Sequence, residues 1–285
     1  MKNPNIQKRN VEVVIISDVH LGTYGCRAKE LLMYLRSINP GILILNGDII
    51  DVWQFRKNYF PKSHIQVIKY VTGLIAKNTR VVYVTGNHDE MMRRYANLKF
   101  GTFRLVNKFM LKIDDTRSWI FHGDVFDVTM KHSKWIAKLG SMGYDMLILL
   151  NSFINFMLVT FGKEKISFSK RIKHSVKRAV SFINKFEETA AEIAISNGYQ
   201  NVICGHIHQP EIREISNQHG SVKYMNSGDW VENLSALEYN EGAWSIYSFR
   251  NDPFAKAFSE KQDHSELPED RKIFEDLLLE MSIGR

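Results

Sequence analysis

Short apolar runs that end in polar clusters constrain the fold of this chain more than any other feature of its sequence. Seven such runs recur along the chain, at residues 11–17, 42–46, 80–85, 118–122, 202–204, 223–226 and 244–249. Their length and their β-branched residues predict buried strands. Helical spacing of apolar residues at 26–38 and 63–77 predicts helices between the early strands. The alternation predicts an α/β layered domain, in which ligands bind beyond the carboxyl ends of the strands.

Composition and charge exclude several classes of protein. The chain has 285 residues, 44% of them hydrophobic, and a formal net charge of +7. A disordered chain, a collagen-like repeat and a disulfide-stapled miniprotein are therefore excluded. The two cysteines, Cys26 and Cys204, form no CxxC pair, which favours a reducing compartment and predicts two buried apolar side chains. The polar start shows no signal-peptide pattern, so a cytoplasmic location is expected.

The middle of the chain lacks strand patterns and predicts a helical insertion over residues 128–186. Residues 146–161 contain 12 apolar positions of 16, and a membrane span needs about 20, so no transmembrane helix is predicted. Residues 163–186 hold eight Lys and Arg and one Glu around an apolar helical stripe. A separate helix is predicted at 187–197. A helical tail at 251–285 is predicted to dock on the core or to pair with another subunit.

Polar clusters follow five of the predicted strands and consist of residue types that bind metal ions. The clusters are Asp18-Val-His20, Gly47-Asp48-Ile-Ile-Asp51, Gly86-Asn87-His88-Asp89, His122-Gly123-Asp124 and Gly205-His206-Ile-His208. A single cluster of this kind is typical of a turn or a cap. Five of them at strand ends predict a centre for two divalent cations about 3.5–4 Å apart, which need a shared carboxylate, imidazoles and open positions. Mixed oxygen and nitrogen ligands favour manganese, iron or zinc over calcium.

The ordered series DxH, GDxxD, GNH(D/E), H and GHxH resembles the motifs of the calcineurin-like metallophosphoesterases over roughly residues 11–249. The resemblance implies a four-layer α/β/β/α sandwich with the insertion as a lid, in a single domain over residues 1–285. It implies these metal ligands: Asp18, His20 and His208 for one ion, Asn87, His122 and His206 for the other, and Asp48 between them. It implies that His88 lies beside the substrate phosphate and that Asp51 orients it. Asp89 is either a supporting residue or a turn cap.

Longer stretches resemble one group of this family, the bacterial UDP-2,3-diacylglucosamine pyrophosphohydrolase-like proteins. These stretches are residues 17–27, 82–90, 122–127 and 226–232. The resemblance implies manganese-dependent cleavage of the diphosphate of UDP-2,3-diacylglucosamine to lipid X and UMP, a step of lipid A biosynthesis, by a hydroxide that bridges the metals. It also implies peripheral contact with the inner face of the cell membrane. One departure leaves the substrate open, because the best-known form has Arg at the position of His88.

Other proteins of the same fold remain alternatives. The main one is a broad-specificity phosphodiesterase or nucleotide phosphoesterase. A metal-free scaffold is less favoured, because every matching ligand is present, and a protein phosphatase is disfavoured because Val52 rather than Arg follows Asp51. The basic segment lacks interleaved aromatic residues, so no nucleic-acid partner is expected. The oligomeric state stays open.

The insertion also predicts where the substrate binds. An apolar wall with a positive rim fits an acyl chain beside a diphosphate, or an anionic membrane surface. The alternative is an ordinary buried helix beside a solvated one. Candidate contacts to phosphate or uridine are Arg27, Lys131, His132, Lys170, Arg171, Lys173 and Lys177. The candidate acyl wall consists of Trp135, Met146, Leu150 and Phe153.

Overall fold

The computed structural model describes residues 8–52, 59–126 and 169–253. The strands are β1 (Arg9–Ile16), β2 (Ile38–Asn46), β3 (Arg80–Val84), β4 (Lys99–Phe100), β5 (Phe103–Val106), β6 (Lys108–Ile113), β7 (Thr116–Phe121), β8 (Asn201–Cys204), β9 (Glu211–Asn217), β10 (Gly220–Asn226), β11 (Ser235–Asn240) and β12 (Ala243–Ser248). The helices are α1 (Ala28–Ser37), α2 (Lys62–Ala76) and α3 (Ser169–Ser196). All seven predicted strands and both early helices are confirmed, with ends shifted by a few residues.

Two sheets form the centre of the molecule. The seven-stranded sheet has the order β12-β11-β1-β2-β3-β5-β4, and the five-stranded sheet has the order β6-β7-β8-β10-β9. Strands β1, β2, β3 and β5 are parallel neighbours, as are β7, β8 and β10. The carboxyl ends of these strands therefore lie at one edge of each sheet. The predicted polar clusters follow β1, β2, β3, β7 and β8, and so lie at those edges.

Three buried apolar clusters lie between four layers. In β1, Val14 and Ile16 pack in the cluster with α1 and α2, whereas Val13 and Ile15 pack in the cluster between the two sheets. Because both faces of this strand are buried, its sequence is a continuous apolar run rather than an alternating one. The third cluster packs Phe186 of α3 against the five-stranded sheet. The order helix, sheet, sheet, helix confirms the predicted four-layer α/β/β/α fold.

The prediction of a separate helix at 187–197 is wrong, because these residues belong to α3, which is one continuous helix of 28 residues. No Gly or Pro occurs within α3, so nothing in its sequence interrupts a helix. The helix ends where the sequence predicts, before Gly198, which has a φ of 67°. The Gly198 N–H donates to the Ile195 carbonyl at 2.9 Å, and the Tyr199 N–H donates to the Ala194 carbonyl at 3.0 Å. These two bonds form a Schellman motif.

The two cysteines differ in burial, although both are free thiols. Cys204 ends β8 and is buried in the cluster beneath α3, as predicted. Cys26 precedes α1 and is only half-buried, because it packs at the margin of the cluster between the helices and the seven-stranded sheet. The prediction of full burial is therefore wrong for Cys26.

Much of the predicted lid and tail lies outside the described residues, namely 128–168 of the insertion and 254–285 of the tail. From residue 169 onwards, the predicted insertion forms the first part of α3. Among the helices that the structure describes, none is long and apolar enough to cross a membrane. The lid and the tail stay predictions.

Candidate metal centre

The five polar clusters bring their side chains together where the two sheets present their strand ends. Three groups of residues have potential metal-ligand atoms that all lie within 4.8 Å of one another. The groups are Asp18, His20 and His208; His20, Asp48 and His88; and Asp48, His122 and His206. His20 and Asp48 each belong to two groups, so the three groups form one continuous centre.

Two carboxylates occupy the middle of this centre. Asp18 Oδ1 lies 3.1 Å from His208 Nε2 and 3.9 Å from His122 Nε2. Asp48 Oδ2 lies 3.1 Å from His122 Nε2 and 3.9 Å from His88 Nε2. Both carboxylates are buried, with exposed fractions of 0% for Asp18 and 2% for Asp48. Buried carboxylates need positive charge beside them, which imidazolium groups or metal ions supply.

The backbone of the centre adopts an uncommon conformation. Asp18, His20, Asp48, His206 and His208 have φ angles between 52° and 68°. Such angles are uncommon for residues other than glycine and cost free energy that the surrounding fold must supply. These five are half of the ten non-glycine residues with positive φ in the described part of the chain. Their concentration at the strand ends indicates a functional site rather than ordinary turns.

Two glycines allow the loops to approach the carboxylates closely. A Cβ atom at Gly86 would lie 2.2 Å from Asp48 Oδ1, and one at Gly205 would lie 2.7 Å from Asp18 Oδ2. Main-chain N–H groups of the same two loops donate to these carboxylates, at 2.8 Å and 3.0 Å. Any side chain at either glycine would therefore displace a carboxylate from the centre.

Two buried atoms of the candidate ligands make no hydrogen bond within the described part of the chain, namely His20 Nε2 and Asn87 Oδ1. A buried polar atom without a partner costs free energy, so proteins normally satisfy it with another group, with water or with an ion. Carboxylate, imidazole and amide groups together are donors that manganese, iron and zinc accept. The residues present therefore fit divalent cations.

Comparison with known proteins agrees with this site. A family model described as calcineurin-like phosphoesterase matches residues 11–210. This chain belongs to that family. It is similar to the UDP-2,3-diacylglucosamine hydrolase of Aliivibrio fischeri (strain MJ11), with 21% identity over 240 residues that cover 82% of this chain and 97% of the relative. The Blochmanniella floridana protein of the same name is 25% identical over 243 residues, which cover 81% of this chain and 94% of the relative.

Among solved structures, the chain is similar to Yfce, a phosphoesterase from E. coli. The two share 14% sequence identity, with a TM-score of 0.39, and the match covers 83% of this chain and 92% of Yfce. As a member of the calcineurin-like family, the chain is a hydrolytic phosphoesterase.

Hydrogen bonds behind the imidazoles of this phosphoesterase determine which ring nitrogen faces the centre. His122 Nδ1 lies 2.9 Å from the main-chain oxygen of Asn46, which only accepts, so Nδ1 carries a hydrogen and Nε2 faces Asp48 and Asp18. Asp51 Oδ2 lies 3.2 Å from His20 Nδ1 and 2.8 Å from His88 Nδ1. One carboxylate therefore orients two imidazoles, whereas the sequence predicted its contact with His88 alone.

Burial and neighbouring charges act in opposite directions on the titratable groups of the centre. Burial disfavours the charged form of Asp18, but His208 and His122 outweigh it and lower the pKa of Asp18 to about 2. Burial also opposes ionisation of Asp48, and His122 nevertheless holds the pKa of Asp48 below its usual range. Burial lowers the pKa of His208, but Asp18 outweighs it and raises that pKa to about 9. In the metal-free phosphoesterase, His208 therefore carries a proton that a bound cation would displace.

Asp229 and Asn233 support the GHxH loop, although no local pattern in the sequence predicts this role. Asn233 Nδ2 donates to the main-chain oxygen of His208 at 2.7 Å and to Asp229 Oδ2 at 2.5 Å. The N–H of Trp230 donates to the main-chain oxygen of Asp18 at 3.1 Å. The segment that begins after β10 thus holds two loops of the centre. The resemblance of residues 226–232 to related proteins includes Asp229 but ends before Asn233.

Asp89 joins the ends of β2 and β3. Its carboxylate accepts from the Ile49 N–H at 3.0 Å, from the Gly86 N–H at 2.6 Å and from the Tyr83 hydroxyl at 2.7 Å. Burial raises the pKa of Asp89, although these hydrogen bonds oppose that rise. Asp89 is therefore both a cap of its own turn and a support for the loop that carries Asp48.

An ion pair connects the loops that carry Asn87 and His122. Arg93 Nη2 lies 2.5 Å from Asp124 Oδ2 and donates to the main-chain oxygen of Gly86 at 3.3 Å. No local pattern in the sequence points to Arg93, because its partner Asp124 is distant in the sequence. The pair therefore holds these two loops together.

The predicted substrate contacts are only partly described. Arg27 is exposed and directly precedes α1. The backbone of four of the basic candidates lies in α3: Lys170, Arg171, Lys173 and Lys177. The others lie outside the described residues: Lys131, His132, Trp135, Met146, Leu150 and Phe153. All of these assignments stay predictions.

Proposed function

We propose that this phosphoesterase holds two divalent cations and cleaves the diphosphate of UDP-2,3-diacylglucosamine to lipid X and UMP. The proposed cation ligands are Asp18, His20, Asp48, Asn87, His122, His206 and His208. The observation that carries the proposal is the convergence of ligand-type side chains from five strand ends, with buried ligand atoms that lack hydrogen bonds among the described residues. Manganese is the proposed metal, and iron and zinc are the alternatives that the same donors accept.

When bound, such cations lower the pKa of water and offset negative charge on a phosphoryl group. His88 is the proposed catalytic residue of the chain itself. Burial lowers its pKa, but Asp51 and Asp48 outweigh burial and raise that pKa above its ordinary value. The His88 side chain is 26% exposed, so a substrate can reach it. Protonated His88 would stabilise charge on a phosphoryl oxygen or give a proton to the leaving oxygen, and Asp51 would position it.

The names of the relatives support the substrate assignment. Two UDP-2,3-diacylglucosamine hydrolases, at 21% and 25% identity, match most of this chain. Because that substrate carries two acyl chains, we also propose peripheral contact with the inner face of the cell membrane. His88 favours a second candidate, a broad-specificity phosphodiesterase or nucleotide phosphoesterase, because the best-known form of the enzyme that the sequence resembles has Arg at this position.

Product identity tests the proposed function. The manganese-loaded protein is incubated with UDP-2,3-diacylglucosamine, and the products are separated by chromatography. We expect UMP and lipid X in equal amounts from the wild type and none from the Asp48→Asn variant. Hydrolysis of bis(4-nitrophenyl) phosphate without release of UMP from the lipid substrate would reject the first candidate and support the second.

The affinity for manganese is expected to rise with pH. Because Asp18 raises the pKa of His208 to about 9 in the metal-free protein, a cation bound at neutral pH displaces a proton. The affinity should therefore increase about tenfold per pH unit for each displaced proton between pH 6 and pH 8. Competition with a chelator of known affinity measures this slope. In a His208→Asn variant, one proton fewer is displaced, so the rise of manganese affinity per pH unit should be about tenfold smaller. The variant His219→Asn, which changes an exposed residue, should keep the pH dependence of the wild type. A slope of zero in the wild type contradicts the expectation.

Replacing Asn233 by Ala should weaken cation binding without unfolding the protein. The variant loses the hydrogen bond to the main-chain oxygen of His208, so the GHxH loop is no longer held in place. Removing such a supporting contact typically lowers metal affinity about 10- to 100-fold. Calorimetric titration with manganese measures the effect, and Asn240→Ala, at an exposed position, is the matched control. Equal affinities in the wild type and Asn233→Ala contradict the assigned role.

A further inference from the structure

A pair of tyrosine rings lies beside the loop that carries His20. The ring centroids of Tyr24 and Tyr59 are 3.9 Å apart, and the ring planes are tilted by 42°. Both residues are half-buried, so part of each ring faces solvent. Neither ring has a place in the chemistry described above.

The chain turns back immediately after His20 and so brings Tyr24 close to the centre. The N–H of Thr23 donates to the main-chain oxygen of His20 at 3.1 Å, and the Thr23 hydroxyl donates to the same oxygen at 2.9 Å. Tyr24 follows this turn directly in the sequence. The tyrosine pair therefore lies beside the loop that carries His20, a candidate ligand of the metal centre.

His64 of α2 holds the loop and the tyrosine pair in one arrangement. It is buried, and its Nδ1 accepts a hydrogen bond from the Gly22 N–H at 2.9 Å. Burial lowers the pKa of His64 to about 4, so the ring is neutral near pH 7 and Nδ1 is free to accept. The same ring makes edge contacts with Tyr59, at 5.9 Å between centroids, and with Phe60, at 5.4 Å. One side chain thus fixes both the loop that carries His20 and one of the two tyrosines.

We propose that Tyr24 and Tyr59 form the subsite for the nucleobase of a nucleotide whose phosphate lies at the metal centre. The inference rests on the proposed function, in which UMP is one of the products. A base stacks on an aromatic ring largely irrespective of its identity, because every base has a π face. An acyl chain instead needs an enclosed apolar wall, which two half-exposed rings with polar hydroxyl groups do not supply. Arg27 lies three residues beyond Tyr24 and is exposed, so it adds positive charge near the end of the same loop.

Calorimetric titration of the manganese-loaded protein with UMP and with ribose 5-phosphate tests the proposal, because the two ligands share the phosphate and differ in the base. We expect the wild type to bind UMP roughly tenfold more tightly than ribose 5-phosphate. Tyr24→Ala should remove this difference and leave the affinity for ribose 5-phosphate unchanged. Tyr24→Phe keeps the ring and should keep the difference, as should Tyr95→Ala, which removes an exposed tyrosine elsewhere.

Equal affinities for the two ligands in the wild type would overturn the proposal, and so would the absence of UMP binding. A Tyr24→Ala variant that weakens both ligands equally would also overturn it, because that result marks a purely structural role. If this variant does not fold, Tyr59→Ala provides the same comparison. Tighter binding of UMP than of ribose 5-phosphate, without release of UMP from UDP-2,3-diacylglucosamine, would support the subsite and reject the proposed substrate. The experiments can therefore reject the nucleobase subsite and the proposed substrate independently of each other.

Discussion

Replacing Asp48 by Ala abolishes metal-dependent hydrolysis, with an expected loss in kcat/KM of about 10³-fold or more. Asp48 belongs to two of the three ligand groups, and its Oδ2 lies 3.1 Å from His122 Nε2. Its Oδ1 also accepts the His88 N–H at 2.8 Å. Without this carboxylate, nothing at that position offsets the repulsion between two cations, and several kcal/mol of transition-state stabilisation disappear. Hydrolysis of an aryl phosphodiester with added manganese measures the loss.

Controls separate this effect from unfolding. Asp48→Asn keeps the shape of the side chain and removes only its charge, so it should be nearly as inactive as Asp48→Ala. Asp115→Ala removes an exposed aspartate from a turn and should keep full activity. Thermal unfolding of each variant shows whether the fold survives. Full activity of a folded Asp48→Ala variant with added manganese would contradict the proposed centre.

Replacing His88 by Ala lowers kcat by about 10²- to 10⁴-fold and leaves the metal content nearly intact. The range is typical for the loss of one positioned acid or base. His88 is within reach of Asp48, but its Nδ1 is directed to Asp51 at 2.8 Å, and we do not assign it as a cation ligand. Steady-state kinetics and metal analysis of the same sample measure the two quantities.

The pH profile of the rate distinguishes a protonated His88 from a merely structural one. Asp51 and Asp48 outweigh burial and raise the pKa of His88, so its proton is present at neutral pH and is lost as the pH rises through that raised pKa. Activity that needs this proton should fall in the same range. His88→Arg, which stays charged, should shift the fall to higher pH, whereas the exposed-site variant His219→Ala should leave the profile unchanged. Loss of metal in parallel with activity in His88→Ala would instead place His88 among the ligands.

Much of the candidate centre was predictable from sequence because its residues come in short motifs directly after apolar runs. The parallel arrangement of β1, β2 and β3, and of β7 and β8, then brings these motifs to one edge. The directions of the His206 and His208 side chains do not follow from their spacing in the sequence. Two residues apart, they would share one face of a regular strand. Their φ angles of 68° and 53° instead bring them into different ligand groups.

Contacts between distant parts of the chain were not predictable from local patterns. The bond from Asn233 to the main-chain oxygen of His208 and the ion pair of Arg93 with Asp124 join residues that no spacing rule connects. Such partners become neighbours only after the sheets form. The sequence therefore indicates most of the candidate ligands but not the residues that hold their loops in place.

Strands that alternate between buried and exposed residues were not predicted from the continuous apolar runs of the sequence. In β6, Phe109 and Leu111 are buried, whereas Lys108, Met110 and Lys112 are exposed. A search for continuous apolar runs detects strands that are buried on both faces, such as β1, and overlooks this alternation. β9 also carries charged residues among its apolar ones and was missed in the same way.

The central claim is that side chains from five strand ends hold two divalent cations. The most direct measurement is the metal content per chain after manganese loading and removal of free metal by gel filtration. We expect two manganese ions per wild-type chain and loss of bound manganese in Asp48→Ala. A wild-type chain that binds no divalent cation yet hydrolyses phosphodiesters, or an Asp48→Ala variant that keeps both ions, would contradict the claim.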